Sequence, residues 1–130
     1  MGFYAFLSIG LGAASGAWLR WGFSILLNPV FPTLPLGTLT ANLLGGFLMG
    51  MIKQVLMHHA AMSPELRLAI TTGFLGGLTT FSTFSAETVI LLLREEYLWT
   101  LMIVLAHVTG SVAMTLLGIL TMKLLTTGTP

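Results

Sequence analysis

The chain has 130 residues and a formal net charge of +1. Only 7% of its residues are charged and 55% are hydrophobic, with a mean hydropathy of +0.96, whereas about a quarter of an ordinary soluble domain is charged. A nucleic-acid partner is excluded because it would require a basic surface. The absence of cysteine excludes disulfides, thiolate metal sites and cysteine nucleophiles. The composition predicts one domain, residues 1–130, embedded in a lipid bilayer.

Four long apolar blocks each reach the roughly 20 residues that a helix needs to cross a bilayer core. The predicted spans are residues 3–27, 37–57, 64–93 and about 97–125. Pro29, Pro32 and Pro35 mark the first loop, because proline stops a helix. Ser63 is a predicted N-cap, with Pro64 as the first helical residue of the third span. The fold class is therefore predicted to be an all-α membrane protein with four transmembrane helices.

Positive charge is divided almost evenly between the two sides of such a bundle. Lys53, Arg67 and Lys123 fall on one side, and Arg20 and Arg94 on the other. Lys and Arg bias sets the orientation of membrane proteins, so this chain could insert in both orientations and form an antiparallel homodimer. Four helices leave little room for a water-filled path. A transport route would therefore need at least two copies.

Small and polar residues recur at four-residue steps in the first two spans. These are Ser8, Gly12, Gly16 and Arg20, followed by Thr38, Asn42, Gly46 and Gly50. The glycines are expected to allow close helix packing, within the chain or between copies. Arg20 and Asn42 must each face protein or water, because an unpaired polar group in hydrocarbon is costly.

The third span contains a stretch rich in glycine and hydroxyl residues, from Thr71 to Glu87. Adjacent glycines and threonines are poor helix formers, so we expect this helix to be broken in mid-membrane near residues 76–80. Irregular backbone at that depth must be buried in protein or line a cavity, as in transporters. The alternative is an unbroken helix with a Gly and Thr packing face.

Aromatic and polar side chains accompany this stretch. Phe81 and Phe84 are three residues apart and share a helix face, either as ordinary packing or as ring edges that face an anion. The fourth span carries a polar stripe that consists of His107, Ser111 and Thr115. Hydroxyl and carboxamide groups can donate hydrogen bonds to an anion without trapping it as a fixed charge would.

Glu87 is the one carboxylate well inside a predicted span. We expect it to pair with Arg20 or His107, although a proton-linked role is an alternative. Glu87 and His107 are too few to ligate a metal, and the serines lack a recognisable base. The sequence therefore does not predict an enzyme.

Four parts of the sequence together resemble the Fluc (CrcB-type) family of bacterial fluoride channels, over essentially the whole chain. Residues 76–87 read Gly-Gly-Leu-Thr-Thr-Phe-Ser-Thr-Phe-Ser-Ala-Glu, and residues 37–43 read Gly-Thr-Leu-Thr-Ala-Asn-Leu. Arg20 matches the arginine of the family's first span, and Gly110 with Ser111 resembles its fourth span.

The resemblance implies an antiparallel dual-topology homodimer in the bacterial inner membrane, with two fluoride pathways and a structural sodium ion between the copies. It implies that backbone carbonyls of Gly76 and Thr79 hold the sodium. Residues implied to line the fluoride pathway are Asn42, Phe81, Phe84, Ser111, Thr115 and Thr83. Supporting roles are implied for Arg20, Glu87, His107 and Thr38, and the position of His107 is one that varies in the family.

Two other classes fit the size of the chain. A small multidrug exporter is also a four-span protein of dual topology, but it needs a carboxylate in its first span, where this chain has Arg20. A non-conducting assembly would explain the glycine stripes but would not explain the polar stretch of the third span.

Overall fold

The computed structural model describes residues 2–58 and 61–128, and within these ranges every regular element is helical. The elements are α1 (Gly2–Leu27), a 3₁₀ turn (Asn28–Val30), α2 (Leu36–His58), α3 (Pro64–Leu68), a π-helical segment (Ala69–Leu75), α4 (Gly76–Leu78), α5 (Phe81–Leu93) and α6 (Tyr97–Thr127). Four stretches are long and apolar enough to cross a membrane, and the third of them is Pro64–Leu93. The predicted all-α architecture with four spans is thus confirmed.

Side-chain caps fix two of the connections. The hydroxyl of Ser63 accepts a hydrogen bond from the Leu66 N–H at 3.2 Å, with Pro64 as the first residue of α3, so the predicted N-cap is confirmed. Before α2, Asn28 Oδ1 accepts hydrogen bonds from the backbone N–H groups of Gly37 at 2.7 Å and Thr38 at 3.3 Å. This cap ties the end of α1 to the first turn of α2.

Glycines of α1 allow it to pack directly on the backbone of the third span. A Cβ added at Gly12 would collide with the carbonyl oxygen of Ala69, and one added at Gly16 would collide with that of Phe74. Because these neighbours are backbone atoms, a larger side chain could enter only if a helix moved. The stripe predicted on the first span is therefore a packing surface within the chain.

Helices α2 and α6 are joined in the same way. A Cβ at Gly50 would collide with the Thr115 carbonyl oxygen, and one at Gly118 with the Phe47 carbonyl oxygen. Each helix thus supplies glycine where the other supplies backbone. The packing interpretation of the glycine stripes is confirmed for both spans.

The backbone of the third span is irregular on both sides of α4. Thr79 has φ −86° and ψ 154°, and Thr80 has φ −148° and ψ 119°, so both threonines are extended. Gly76 and Gly77 keep helical geometry as part of α4, and no glycine in the described ranges has a positive φ. Gly77 instead packs closely on the Ala13 carbonyl. The glycine pair serves packing, and the threonines carry the extended conformation.

The buried interior is small for a chain of this length. One apolar cluster joins Ala41, Leu75 and Leu78, and a second joins Phe84, Leu91 and Ile103. Large apolar side chains on the outside include Phe3, Tyr4, Trp18, Trp21, Leu98 and Leu116. An exterior of this kind suits lipid or a second membrane-embedded protein surface.

Candidate functional site

A cavity of about 480 Å³ lies between α2, α6 and the middle of the third span. Among its lining residues are Asn42, Gly76, Thr79, Thr80, Phe81, Phe84, His107, Ser111 and Thr115. Eight of the predicted site residues therefore meet at one place. Thr38, Thr83, Arg20 and Glu87 were also predicted, but they are not part of this lining.

Asn42 binds both backbone polar groups of Thr80. The Thr80 N–H donates to Asn42 Oδ1 at 2.7 Å, and Asn42 Nδ2 donates to the Thr80 carbonyl oxygen at 3.0 Å. The same Nδ2 lies 3.0 Å from His107 Nδ1. A carboxamide nitrogen has two hydrogens, and both are used in this arrangement. Asn42 thus joins α2, α6 and the extended residues, whereas its residue type alone predicts free donors for an anion.

Arg20 holds the end of α4 from the side of α1. Its Nε donates to the Gly77 carbonyl oxygen at 3.1 Å. A cation at the carboxyl end of a helix also interacts favourably with the helix dipole. The expectation that Arg20 faces protein is confirmed, and its partner is a backbone carbonyl.

Two other carbonyls near the extended residues lose their usual helical partners. In a continuous helix, the N–H groups of Thr80 and Thr83 would bond to the carbonyls of Gly76 and Thr79, four residues earlier. Here the Thr80 N–H donates to Asn42, and the Thr83 N–H donates to Thr80 Oγ1 at 3.1 Å. The carbonyls of Gly76 and Thr79 are thereby left without these two helical bonds.

Thr80 is the functional residue that sequence reasoning missed. Its hydroxyl is the N-cap of α5, and its backbone is the part that Asn42 binds. A signal was present, because threonine directly before a helical stretch is a common N-cap. From the sequence, Thr80 was predicted only as one member of the irregular stretch near residues 76–80.

The two phenylalanines occupy different environments on one helix face. Their ring centroids are 5.6 Å apart with an interplanar angle of 71°, which confirms that they share a face. Phe84 is 8% exposed and Phe81 is 78% exposed. Phe84 also lies against the His107 ring, with centroids 4.5 Å apart. Phe84 therefore has a packing role, whereas the Phe81 ring is open at the cavity.

The polar stripe of α6 faces the cavity as its spacing predicted. Thr115 Oγ1 lies 3.0 Å from the carbonyl oxygens of both Gly46 and Ser111, so its hydrogen is engaged within the bundle. His107 is 4% exposed, and its Nε2 is buried without a hydrogen-bond partner in the described chain. The hydroxyl hydrogen of Thr115 is therefore already used, whereas His107 Nε2 has no hydrogen-bond partner in the described chain.

The predicted pairing of Glu87 with Arg20 or His107 is wrong within this chain. Glu87 Oε1 accepts a hydrogen bond from Thr38 Oγ1 at 2.6 Å, and Oε2 is buried without a partner among the described residues. Arg20 bonds to a backbone carbonyl instead, and His107 to Asn42. The carboxylate belongs to a contact between α2 and α5, one helical turn from the cavity.

The available chemistry at the site is that of carbonyls, hydroxyls, an imidazole and aromatic rings. In the described ranges, no three His, Cys, Asp or Glu residues come together in a way that could hold a metal ion. A cation at this site would therefore rely on backbone and hydroxyl oxygens, and an anion on N–H or O–H donors and ring edges.

Four apolar spans around a partly polar cavity define a small multi-pass membrane protein. Residues 7–119 match the family model described as CrcB-like protein, Camphor Resistance (CrcB). The chain belongs to the CrcB family and is a multi-pass bacterial membrane protein.

Named relatives match along nearly their whole length. A protein of Nitrosospira multiformis called fluoride-specific ion channel FluC is 63% identical over 123 residues, which cover 95% of this chain and 96% of that protein. A protein of the same name from Cupriavidus taiwanensis is 53% identical over 125 residues, with 96% and 99% covered. The similarity therefore includes all four spans.

Proposed function

We propose that this chain is a fluoride-selective channel that lets fluoride leave the cell passively. The observation that carries the proposal is the cavity beside Thr79 and Thr80, in which an open aromatic ring, a buried imidazole and hydroxyl groups meet. The printed name of relatives more than half identical to the chain, fluoride-specific ion channel FluC, supports the same function.

The lining of the cavity suits a small, strongly hydrated anion. Among its described residues there is no Asp, Glu, Lys or Arg, so an anion would meet neither a repelling nor a trapping charge. Phe81 is 78% exposed, and the edge of its ring carries partial positive charge. A narrow path would replace the water around fluoride by such edges and by hydrogen-bond donors, and its width would exclude chloride.

The channel is proposed to be an antiparallel homodimer with two pores. The cavity lies at the surface of a single chain, and the ring of Phe81 is largely uncovered there, so one chain alone leaves the path open to lipid. A second copy would close it. The even distribution of Lys and Arg is what insertion in both orientations requires, and two-fold symmetry is the commonest symmetry of oligomers.

A structural sodium ion is proposed between the two copies. The third helix would then be broken in mid-membrane at Thr79 and Thr80, and the carbonyls of Gly76 and Thr79 would be directed to the ion. These two carbonyls fit the role, because the N–H groups of Thr80 and Thr83 have other acceptors. Two copies would provide two such pairs, as filters of carbonyl oxygens do for potassium. When bound, the ion would supply positive charge that attracts anions.

Purified protein in liposomes should release fluoride passively, and chloride far more slowly. The measurement is anion efflux with ion-selective electrodes after a potassium ionophore is added, with protein-free liposomes as the control. No fluoride efflux, or equal efflux of the two anions, would refute the channel.

Prolonged removal of sodium should impair the fluoride efflux, and a sodium current that accompanies fluoride would contradict a structural role for the cation.

The antiparallel arrangement predicts that the carboxyl terminus is found on both sides of the membrane. A cysteine added at that end should be half accessible to an impermeant thiol reagent in intact cells and fully accessible after lysis. The chain has no cysteine of its own, so the signal comes from the added one. Labelling of all copies or of none in intact cells would exclude dual topology.

A further inference from the structure

The carboxyl group of Glu87 is bonded through only one of its two oxygens. Thr38 Oγ1 donates a hydrogen bond to Glu87 Oε1 at 2.6 Å, and the Thr38 side chain is 1% exposed. The other oxygen, Oε2, is buried and has no hydrogen-bond partner among the described residues. This carboxyl group therefore has a single donor, which is a hydroxyl.

No basic side chain in the described ranges is bonded to this group. Helix α5 packs on α2 and α6 and on Leu34 of the first loop, a loop without titratable side chains. His107 of α6 is bonded to Asn42 instead, and Arg20 of α1 to a backbone carbonyl. The other titratable side chains of α2 and α6 are exposed, and these are Lys53, His58, Tyr97 and Lys123.

A carboxylate in this environment would be an unpaired charge inside a membrane span. Such a charge is very costly when buried, and a carboxyl group without a cation normally takes up a proton instead. The neutral group lacks only one hydrogen bond, at Oε2. Because Oε1 accepts from Thr38, Oε1 is then the carbonyl oxygen and Oε2 carries the proton.

The protonation state of Glu87 affects the cavity, although Glu87 is not part of its lining. Phe84, which lines the cavity, precedes Glu87 by three residues, or about 4.5 Å along the helix axis. Away from water, a charge acts strongly over such a distance. An ionised Glu87 would repel an anion in the cavity, whereas the neutral acid would not.

Asn28 fixes the turn of α2 that carries Thr38. Its Oδ1 accepts the N–H groups of Gly37 at 2.7 Å and Thr38 at 3.3 Å, and a Cβ added at Gly37 would collide with the same oxygen. The carboxamide therefore lies directly against the start of α2. The direction of the Thr38 hydroxyl toward Glu87 depends on this contact.

We propose that Glu87 is held in the channel as a neutral carboxylic acid with its proton on Oε2, and that Asn28 is a positioning residue which acts through Thr38. This role of Glu87 deepens the proposed function and rests on it, because a negative charge beside the pathway would oppose the passage of an anion. Of the two roles that the sequence left open for Glu87, it is the proton-linked one.

Infrared absorption tests the protonation without any flux measurement. A carboxylic acid has a carbonyl band at higher frequency than a carboxylate or an amide. The chain has four acidic side chains, so subtraction of the Glu87→Gln spectrum from that of the parent protein isolates Glu87. In a detergent without ester groups, we expect a carbonyl band from Glu87 at neutral pH.

Variants of Thr38 and Asn28 test the positioning role through the same band. Thr38→Val removes the donor to Oε1, so the carbonyl band should move to higher frequency. Asn28→Leu should produce a similar shift, because Thr38 is no longer held toward Glu87. Asn28→Asp keeps an oxygen that accepts the two N–H groups and should keep the band where it is in the parent protein.

The pH dependence of fluoride efflux from liposomes tests the effect on the pathway. When the pH is raised far enough to ionise Glu87, efflux should fall by about tenfold or more, because two like charges about one helical turn apart repel strongly at low dielectric constant. Glutamine cannot ionise, so efflux through Glu87→Gln should not show this loss.

The possible outcomes distinguish the proposals. Absence of the Glu87 carbonyl band at neutral pH would overturn the neutral acid, and equal bands in Asn28→Leu and Asn28→Asp would overturn the positioning role. Efflux that persists after the band has disappeared at high pH would overturn the effect on the pathway, whereas efflux that persists together with the band would support it. If the parent protein conducts no fluoride, the proposed function fails, and the band still decides the protonation of Glu87. If Glu87→Gln conducts too little for a pH profile, the band and the efflux of the parent protein decide.

Discussion

Asn42→Leu is expected to abolish fluoride efflux and to lower the free energy of unfolding by about 2–5 kcal/mol. Leucine has a similar size but would leave the Thr80 N–H and carbonyl unpaired, together with His107 Nδ1. A fully buried polar group that loses its partner costs about 1–3 kcal/mol, and because these hydrogen bonds are only partly buried, the total stays below three times that cost. The measurements are efflux from liposomes and unfolding in detergent by a denaturant, followed by circular dichroism.

Phe81→Ile is the matched comparison for this variant. The Phe81 ring is largely exposed in the single chain, and no backbone group depends on it for a hydrogen bond. Its replacement should slow fluoride efflux because the ring edge is lost, with a much smaller loss of stability than Asn42→Leu. If Asn42→Leu were as stable as the parent protein, Asn42 would not be holding the extended backbone.

The second large effect is expected from one methyl group on α1. In Gly16→Ala, the added Cβ would lie within 2.7 Å of the Leu78 backbone nitrogen and would also collide with the Phe74 carbonyl. Since backbone cannot rotate away as a side chain can, α1 would have to separate from the third span. We expect a loss of at least about 2 kcal/mol, toward the upper end of overpacking costs, and less folded protein in the membrane.

Gly22→Ala in the same helix is the control. A Cβ at Gly22 meets nothing within 4 Å, and alanine is a better helix former than glycine by roughly 1 kcal/mol. This variant should be as stable as the parent protein or slightly more stable. Equal behaviour of Gly16→Ala and Gly22→Ala in denaturant unfolding would show that the close contact at Gly16 does not determine stability.

The four spans could be predicted because length and hydropathy are enough to define a membrane helix. The first predicted span, residues 3–27, differs from Gly2–Leu27 by one residue. The start of the third span was also predictable, since Ser63 and Pro64 form a local signal that needs no tertiary contact. These features depend on neighbouring residues only.

The location of the extended residues was harder to predict from composition. Glycine is the poorest helix former in the stretch, so composition predicts the break at Gly76 and Gly77. Both are helical, however, and Gly77 is needed for the contact with α1. The extended conformation falls on Thr79 and Thr80, whose β-branched side chains favour it. Packing against another helix decides whether the glycines or the threonines leave the helical conformation. A single sequence does not show that packing.

Partners of the polar residues were the least predictable part of the site. Glu87 was expected to bind a charged group and binds Thr38, and Asn42 was expected to have free donors and uses both. Residue type limits what each group can bind, but the choice among partners depends on how α2, α5 and α6 are placed relative to one another. That placement is set by backbone contacts at glycines such as Gly50 and Gly118.

The side chains that satisfy the irregular backbone precede it in the chain. Arg20, which binds the Gly77 carbonyl, is in the first span, and Asn42, which binds Thr80, is in the second. As the polypeptide is synthesised from its amino terminus, both partners would enter the membrane before residues 77–80 leave the ribosome. The polar backbone could therefore be paired as soon as the third span inserts, without a period of exposure to hydrocarbon.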